Sequence, residues 1–547
     1  MPMVADAERA VLAKCGIIQF GCDPRALGTQ DCCAASIPMN AADPQELKEA
    51  RALWLQDRCD EALAKFDAVL MRHPDHPLAL IDAARAFGGR YQIAKAETLV
   101  DRYLATAGRT AAALALAGQT YRMIHRGRKA LDSLKEAAGL SAPDAATGLE
   151  LAMLLDRAGE MEAAEAVLSG VLARDPGFAE GRFFRAHVAI RRGDAEQALP
   201  ELEAIAGETR HHPYLRTRAC YALAEAVDRA GDAAGAIDQA LRAKEFGAPD
   251  ADPLRRIDSL IRKQGDQLAR AFTPAKLAQW QREAGGHPPL VLLTGSPRSG
   301  TTLIEKVLDA HPGLRSSDEH DLFARFIAPP VLQPPGKAGT GDAGKRLLAA
   351  DARRAAKMRA TYFAGMEELL GEPLAGRVML DKNPSLTELI PAWLRMAPHS
   401  KILVMLRDPR DVVLSCFLNY FPLNAFSVSF LTLEHTARRY VREMDCWLRL
   451  RDKLPPDQWR ETRYEDCVDD LRGTAGGVIG WMGLEWSDDV MDYRETLARR
   501  LTGSPTYADV RAPVHRRAVG KWRRYEEWLA PVQPILAPLV RRFGYEE

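Results

Sequence analysis

The first half of the chain repeats one pattern of apolar and polar positions every 34 residues. Apolar residues recur at helical spacing within each copy, as in DEALAKFDAVLMRHP at 60–74 and GEMEAAEAVLSGVLARDP at 159–176. Because a small side chain lets a second helix approach closely, a small residue repeated at one place in each copy predicts paired helices. That small residue is alanine in successive copies, at Ala62, Ala96, Ala130, Ala164 and Ala198, with a further copy displaced to Ala236.

Three glycines mark the turns between these helices. Gly159, Gly193 and Gly231 each lie five residues before the small residue, where a tight turn needs a positive φ. A helix–turn–helix period of 34 residues resembles the tetratricopeptide repeat. The resemblance implies an α-solenoid over residues 41–265, and the weaker copies at both ends are typical of capping repeats.

Two roles for the solenoid are open at this point. It either recruits a protein or peptide substrate on a concave surface, or it serves as a scaffold that supports a homodimer. The repeats contain no constellation of catalytic residues in their sequence. We therefore expect the chemistry in the second half of the chain.

The composition changes near residue 265, and a strand followed by a glycine loop begins the second half. The segment Gly-Gly-His-Pro-Pro at 285–289 is typical of a linker. The run LVLLT at 290–294 predicts a buried parallel strand, and GSPRSGTTLIEKVLDAHP after it is a loop that leads into a helix at Thr301. This order presents successive backbone N–H groups and the positive end of a helix dipole, so it predicts a phosphate-binding site.

The loop differs from a Walker A loop at the position that decides nucleotide chemistry. Gly295 and Gly300 fit the GxxxxGK[ST] pattern, but Thr301 stands where the lysine belongs. Without that lysine the loop lacks the cation that holds β- and γ-phosphates, so hydrolysis of ATP or GTP is disfavoured. Arg298 supplies positive charge within the loop instead, which suits a donor with fewer phosphates.

A second segment, KILVMLRDPRDVVLSCF at 401–417, has the same order of strand, turn and helix. Arg407 follows the strand, and Ser415 lies on the helix. A guanidinium and a hydroxyl at this spacing can converge on one anion. The two segments together predict a nucleotide site with two separate phosphate-binding parts.

These two segments resemble the donor-binding motifs of sulfotransferases, and the resemblance covers roughly residues 285–547. The similarity is greatest to the protein-tyrosine sulfotransferase-like branch. It implies a P-loop-like α/β sulfotransferase domain with a parallel sheet, which binds 3′-phosphoadenosine-5′-phosphosulfate (PAPS) and needs no metal. The implied 5′-phosphosulfate loop comprises Ser296, Pro297, Arg298, Ser299, Gly300, Thr301 and Thr302.

The remaining donor contacts implied by the resemblance come from later in the chain. Arg407 and Ser415 would hold the 3′-phosphate, and Tyr464, in the segment RYED, would lie beside the adenine. The segment TYADVRAPVHRRAVGKW at 506–522 resembles the part that closes over the nucleotide, with Lys521 reaching it. Asn419 replaces a second arginine of the family on the 3′-phosphate side, which weakens the predicted site.

The resemblance also implies the catalytic residues Glu319, Lys382 and Arg298. Glu319 would take the proton of the acceptor hydroxyl, while Lys382 and Arg298 would stabilise the leaving phosphate. His320 is the rival base, because imidazole is the commonest base and the two residues are adjacent. Asp321 stands where the family has a substrate-contacting arginine, so a specificity for acidic peptides does not follow.

Taken together, these patterns predict a two-part protein of α plus α/β class. An irregular N-terminal segment (1–40) precedes the solenoid (41–265), a connecting helix and linker (266–288) and the sulfotransferase domain (289–547). Within that domain, the segment APPVLQPPGKAGTGDAG at 328–344 is rich in proline and glycine and predicts a loop that closes over the acceptor cleft.

Charge and cysteine usage exclude several classes of partner. Lys and Arg number 74, as do Asp and Glu, so the chain is not held to nucleic acid by bulk charge. No apolar run approaches the roughly 18 residues of a membrane span, and no secretory signal is recognised. Nine cysteines without a zinc-site spacing predict free thiols, no bound metal and a cytoplasmic protein.

The leading functional hypothesis is transfer of a sulfuryl group from PAPS to a hydroxyl, with a protein or peptide tyrosine recruited by the repeats as the acceptor. Sulfation of a carbohydrate or small metabolite is an alternative with the same chemistry. From other classes, a P-loop kinase or NTPase and a non-catalytic interaction protein are the alternatives. The threonine at position 301 argues against the kinase. A vestigial domain is disfavoured by the joint presence of five residues, Arg298, Glu319, Lys382, Arg407 and Ser415.

Overall fold

A computed structural model describes residues 44–332, 341–499 and 514–546 of the chain. The expected irregular segment at 1–40 lies outside these residues, together with its four cysteines. The central part of the proposed acceptor loop, 333–340, and the first part of the nucleotide-closing segment, 506–513, also lie outside them.

Six helix pairs form the N-terminal region. They run from Gln45 to Gly247 and pack through one continuous apolar core. The helices are α1 (Gln45–Leu55), α2 (Cys59–Arg72), α3 (Pro77–Gly88), α4 (Ile93–Ala107), α5 (Ala111–Met123), α6 (Gly127–Leu140), α7 (Ala145–Ala158), α8 (Met161–Arg174), α9 (Ala179–Arg192), α10 (Ala195–Gly207), α11 (Pro213–Arg229) and α12 (Ala233–Gly247).

The 34-residue period is confirmed as a helix–turn–helix repeat. The alanines that define it all lie on the second helix of a pair and are buried against the first. Gly159, Gly193 and Gly231 have φ of 84°, 98° and 93°, as a left-handed turn requires. The three earlier repeats use the same backbone conformation at the same place without glycine, at Asp57, Tyr91 and His125.

Two further helices join the repeats to the second half of the chain. They are α13 (Ala251–Ala271) and α14 (Pro274–Ala284). The end of α13 buries Leu268 in the core of the second half, and α14 buries Leu277 and Trp280 there. Both helices therefore pack with the C-terminal domain rather than continuing the repeat.

The C-terminal domain is an α/β fold around a five-stranded sheet in which every strand pair is parallel. The strand order is β2-β3-β1-β4-β5, with the fully buried β1 in the centre. The strands are β1 (Leu290–Gly295), β2 (Leu314–Ser316), β3 (Val378–Lys382), β4 (Lys401–Leu406) and β5 (Trp459–Arg463).

Helices cover both faces of this sheet, as parallel strands require. They are α15 (Thr301–Asp309), α16 (Pro329–Leu332), α17 (Ala343–Ala349), α18 (Ala352–Leu370), α19 (Ile390–Met396), α20 (Pro409–Leu418), α21 (Leu433–Arg451), α22 (Tyr464–Asp469), α23 (Leu471–Met482), α24 (Tyr493–Arg499), α25 (Glu526–Leu529) and α26 (Gln533–Arg542). Because all strands run the same way, the segments that follow β1, β2, β3 and β4 meet at one edge of the sheet.

Candidate active site

The glycine loop after β1 has the geometry of a phosphate cradle. Gly295 and Gly300 have φ of 127° and 100°, values open to glycine, and α15 begins at Thr301 directly after the loop. The Ser299 hydroxyl donates to the carbonyl oxygen of Ser296 over 2.7 Å, which closes the loop on itself. The hydroxyl side chains of Thr301 and Thr302 are buried at the start of the helix. The loop therefore directs backbone N–H groups and hydroxyls to one point.

Arg298 connects this loop with the segment after β4. Its Nε donates to the Ser415 hydroxyl over 3.0 Å, and its carbonyl oxygen accepts from Nη1 of Arg407 over 3.0 Å. Arg298 also has φ of 67°, a left-handed conformation that is uncommon outside glycine. The two segments that are predicted from the sequence to bind the donor are thus in direct contact.

Arg407 has a hydrogen-bond donor that these contacts do not use. Its Nη2 donates to the carbonyl oxygen of Ala518, and its Nε is buried without a hydrogen-bond partner among the described residues. The guanidinium lies over the ring of Tyr464, 4.8 Å from its centroid. An unsatisfied buried donor of this kind is costly unless a ligand accepts from it.

Tyr464 closes the same side of the loop. A Cβ atom added to Gly300 would lie 2.5 Å from Cδ2 of the Tyr464 ring, so glycine is required there for close packing as well as for its φ. Pro297 completes the loop, where its carbonyl oxygen faces the Cys416 thiol at 3.6 Å. The aromatic ring, the guanidinium and the loop form one surface.

On the other side of the loop, Lys382 and Glu319 form a close pair. Lys382 is the last residue of β3 and is fully buried, and its Nζ donates to Oε1 of Glu319 over 2.5 Å. The same Nζ lies 3.5 Å from the Thr302 hydroxyl. The pair therefore connects the segment after β2 with the start of α15.

Two further carboxylates and a second lysine surround this pair, and no sequence motif marks any of the three. Lys382 Nζ lies 3.5 Å from both Glu305 Oε2 and Asp318 Oδ1, and Lys306 bridges the same two carboxylates at 3.1 and 3.4 Å. Glu305 and Lys306 are successive residues of α15, and all of these groups are largely withdrawn from solvent. The adjacent glutamate and lysine at 305–306 are visible in the sequence, but the sequence does not reveal which residues they contact.

The charge cluster changes the proton affinities of its members. Burial alone would lower the pKa of Lys382, but Glu319, Glu305 and Asp318 outweigh it and raise that pKa well above its ordinary value. Burial raises the pKa of Glu305, against the opposing effect of Lys306 and Lys382. Lys382 is therefore held as a permanent cation beside the glycine loop.

Glu319 and His320 differ in what they face. His320 is turned into the protein, where Nδ1 accepts from the Leu322 N–H over 3.2 Å and Nε2 lies 3.4 Å from Asp381 Oδ2. The second carboxylate oxygen of Glu319 is buried and has no hydrogen-bond partner within the described parts of the chain. Nε2 of His320 also lacks a hydrogen-bond partner there, but it carries the ring hydrogen because Nδ1 accepts from Leu322. Of the two candidate bases, Glu319 is therefore the one whose unpaired atom is an acceptor.

Three residues that the sequence singled out make other contacts. Lys521 pairs with Asp228 of the repeat helix α11. Asn419 donates from Nδ2 to the Ser415 carbonyl over 2.8 Å. Asp321 accepts a hydrogen bond from Tyr91 of the second repeat.

A cavity of about 550 Å³ lies between the third repeat, β2 and the end of α18. Its lining includes Arg126, Lys129, Lys306, Arg315 and Asp318. Asp318 and Lys306 are shared with the charge cluster around Lys382, so the cavity reaches that cluster from the side of the solenoid. Its wall is thus built by both halves of the chain.

Residues 44–332, 341–499 and 514–546 show neither a metal-binding cluster nor a membrane-spanning helix. These residues contain no group of three or more His, Cys, Asp or Glu side chains arranged to hold a metal ion. None of their helices combines the length and the apolar character needed to cross a membrane.

In comparison with known proteins, residues 289–488 match the family model described as the sulfotransferase family. An uncharacterized protein of Aquifex aeolicus is 25% identical over 422 residues, which cover 75% of this chain and 53% of that protein. Protein-tyrosine sulfotransferase 2 of Gallus gallus is 24% identical over 304 residues, or 53% of this chain and 78% of the relative. The chain thus spans about half the length of the Aquifex relative.

Among solved structures, the sulfotransferase domain from the Synechococcus PCC 7002 olefin synthase is similar to this chain. It aligns with a TM-score of 0.36 and 20% sequence identity, and it covers 48% of this chain and 97% of that domain.

Proposed function

Since residues 289–488 belong to the sulfotransferase family, we propose that the chain transfers a sulfuryl group from PAPS to a hydroxyl acceptor. The observation that carries the proposal is the pairing of buried Lys382 with Glu319 beside a glycine loop that has no Walker lysine. When bound, the donor supplies the sulfuryl group and a phosphate leaving group. The residues of the chain then have three tasks, which are to hold the donor, to neutralise charge and to accept a proton.

The donor-binding residues fit a nucleotide with phosphates at two places. The loop from Ser296 to Thr302 suits the 5′ side, because its N–H groups and hydroxyls converge at the start of α15. Arg407 and Ser415 suit the 3′-phosphate, since Nε of Arg407 is a buried donor that lacks a partner in the described chain. Tyr464 offers a ring face for the adenine beside the same guanidinium.

Charge neutralisation falls to Lys382 and Arg298. Lys382 is buried, held as a cation by three carboxylates and close to the hydroxyl of Thr302. A cation fixed in this way costs no reorganisation when negative charge develops on the bridging oxygen. Arg298 lies within the loop itself and is oriented by the Ser415 hydroxyl.

Glu319 is the proposed base. Oε1 is held by Lys382, which leaves Oε2 to accept the proton of the acceptor hydroxyl. A positioned base contributes about 10²–10⁴-fold to such a reaction. We therefore expect Glu319→Gln to lower the rate of transfer by about that factor while donor binding is retained.

A tyrosine of a protein or peptide is the proposed acceptor, and the solenoid is its recruiting surface. The support comes from the relatives named protein-tyrosine sulfotransferase and from the cavity shared by the third repeat and the charge cluster. The absence of the family's arginine at Asp321 means that the flanking acidic residues of the peptide need not be the recognised feature.

The acceptor is tested with ³⁵S-labelled PAPS and two matched peptide libraries, one with tyrosine and one with phenylalanine at a fixed position. Label that enters only the tyrosine library supports the proposal, and mass spectrometry of the peptide identifies the modified oxygen. If the label enters a panel of oligosaccharides instead, sulfuryl transfer is supported and tyrosine is rejected as the acceptor. Bound donor without transfer to any acceptor would count against the enzyme and favour an interaction protein.

A further inference from the structure

Tyr91 of the second repeat reaches into the C-terminal domain. Its hydroxyl donates to Oδ1 of Asp321 over 2.6 Å, across a sequence separation of 230 residues. Asp321 lies two residues beyond Glu319, in the segment that connects β2 with the helical turn Phe323–Ile327. A residue of the solenoid is thus bonded to the segment that holds the proposed base.

The backbone at Tyr91 is unusual for such a residue. Its φ is 58°, and it occupies the turn position where three later repeats have glycine. For a residue with a side chain, the left-handed conformation carries an energetic cost. That cost is sustained only where the surrounding contacts fix the conformation.

The side chain of Tyr91 makes these contacts with the C-terminal domain. The residue is 6% exposed and belongs to the apolar core that surrounds the sheet, not to the core of the repeats. Its ring meets Phe326 edge-on, with the centroids 5.6 Å apart, and it stacks on His125 of the next turn. Both the ring and the hydroxyl therefore point toward the segment after β2.

Neighbouring contacts keep the second and third repeats against the same domain. The Ala94 N–H donates to Oε2 of Glu368 over 2.7 Å, and Arg126 donates to the carbonyl oxygens of Glu368 and Leu369. Glu368 and Leu369 belong to the last turn of α18. The position of Tyr91 relative to Asp321 is fixed from two sides.

We infer that Tyr91 is a positioning residue, through which the second repeat fixes the segment that carries Glu319. Asp321 is the residue of this segment that Tyr91 contacts. The Tyr91–Asp321 hydrogen bond thereby fixes the position in which the carboxylate of Glu319 accepts from Lys382. The solenoid is thereby part of the catalytic unit and not only a recruiting module. The inference rests on the proposed function only in naming Glu319 as the base, because the positioning itself is a property of the fold.

Hydrogen–deuterium exchange on the full chain tests the positioning without any reaction. Tyr91→Phe removes the hydroxyl and keeps the ring, and Tyr103→Phe is the matched control, since Tyr103 is an equally buried tyrosine on α4 of the same repeat. We expect amides of residues 317–327 to exchange about tenfold faster or more in Tyr91→Phe, because a hydrogen bond to a charged group is lost. Exchange in β1 is expected to stay unchanged.

Two variants of Asp321 test the same hydrogen bond by changing its acceptor. Asp321→Asn keeps an oxygen that accepts from Tyr91 and is expected to retain protection, whereas Asp321→Ala is expected to lose it. If Tyr91→Phe does not fold, this pair still decides the question.

The affinity for adenosine 3′,5′-bisphosphate separates positioning from general damage. It is expected to be the same in Tyr91→Phe as in the unchanged protein, while transfer from labelled PAPS falls in kcat. Equal exchange of residues 317–327 in Tyr91→Phe and Tyr103→Phe would overturn the inference, and so would faster exchange spread over the whole sheet. If the protein binds no bisphosphate but Tyr91→Phe still accelerates exchange locally, the inference stands and the proposed donor is rejected.

Discussion

The side-chain nitrogen of Lys382 lies 2.5 Å from Oε1 of Glu319, and the lysine is completely withdrawn from solvent. Glu305 and Asp318 approach the same nitrogen at 3.5 Å. One cation thus compensates three carboxylates, and Lys306 also pairs with two of them, Glu305 and Asp318. The stability of the site and its proposed chemistry depend on the same atom.

Removing this cation is expected to damage folding and function together. Lys382→Ala leaves buried carboxylates without their main partner, which costs about 3–5 kcal/mol in the free energy of unfolding. Urea unfolding followed by circular dichroism measures the loss. Glu319→Gln is the comparison, because it keeps the volume and leaves Lys382 with two carboxylates. A similar stability of Lys382→Ala and the unchanged protein would contradict the described cluster.

Glycine at position 300 is required for two separate reasons. Gly300→Ala places a Cβ against the Tyr464 ring and strains a backbone with φ of 100°, so the loop is expected to shift and lose bisphosphate binding. Gly139→Ala is the matched control, since Gly139 lies on α6 with no atom within 4 Å of the added Cβ. That control is expected to bind the bisphosphate like the unchanged protein, because the added methyl group meets no neighbouring atom. Calorimetric titration of both variants checks the contrast, and unchanged binding in Gly300→Ala would refute it.

The repeat turns offer a prediction about stability alone. Asp57 has φ of 60° at the turn where later repeats have glycine. Asp57→Gly is expected to stabilise the chain by about 1 kcal/mol, and Gly193→Ala to destabilise it by a similar amount. Thermal unfolding measures both changes. A loss of stability in Asp57→Gly would mean that the aspartate side chain contributes more than the strain it imposes.

A buried lysine at the boundary between the two halves predicts a pH dependence of stability. Lys244 of α12 donates to the Phe430 carbonyl and the Tyr221 hydroxyl, each over 2.8 Å, and burial lowers its pKa to about 7, against an ordinary value of 10.5. Between these two pH values the unfolded chain holds the proton and the folded chain does not. Stability from this group therefore rises as the pH rises from about 7 toward 10.5.

Lys244→Met tests that dependence. The variant is expected to lose the rise in the free energy of unfolding between pH 7 and pH 9, whereas Lys263→Met, at an exposed position on α13, is expected to keep it. Urea unfolding at several pH values gives the slope for each protein. The same slope in both variants would show that Lys244 is not the group responsible.

Much of the fold follows from local patterns in the sequence. The repeated alanines are buried because a 34-residue period gives each copy the same helix contact, and LVLLT is buried because parallel strands are covered on both faces. The contact of Arg298 with Ser415 joins two segments that the sequence marked separately. Loop composition and strand order were sufficient for that part of the site.

The remaining parts depend on partners that are distant in sequence. No local pattern tells that Glu305 and Lys306 meet Lys382, or that Lys521 pairs with Asp228 of a repeat. The contact of Tyr91 with the C-terminal domain could not be predicted for a further reason. The turn position favours glycine, so a tyrosine there indicates only an imperfect copy of the repeat. Its role becomes visible only when the C-terminal domain is placed against the turn.

Binding of adenosine 3′,5′-bisphosphate, compared with ATP and AMP, tests the central claim most directly. A ligand of the folded state raises stability by about 2.7 kcal/mol at a hundredfold excess over Kd, so a thermal shift reports the affinity. We predict selective stabilisation by the bisphosphate, reduced in Arg407→Ala and Ser415→Ala. Stabilisation by ATP with Mg²⁺ but not by the bisphosphate would contradict the account and favour a kinase or NTPase.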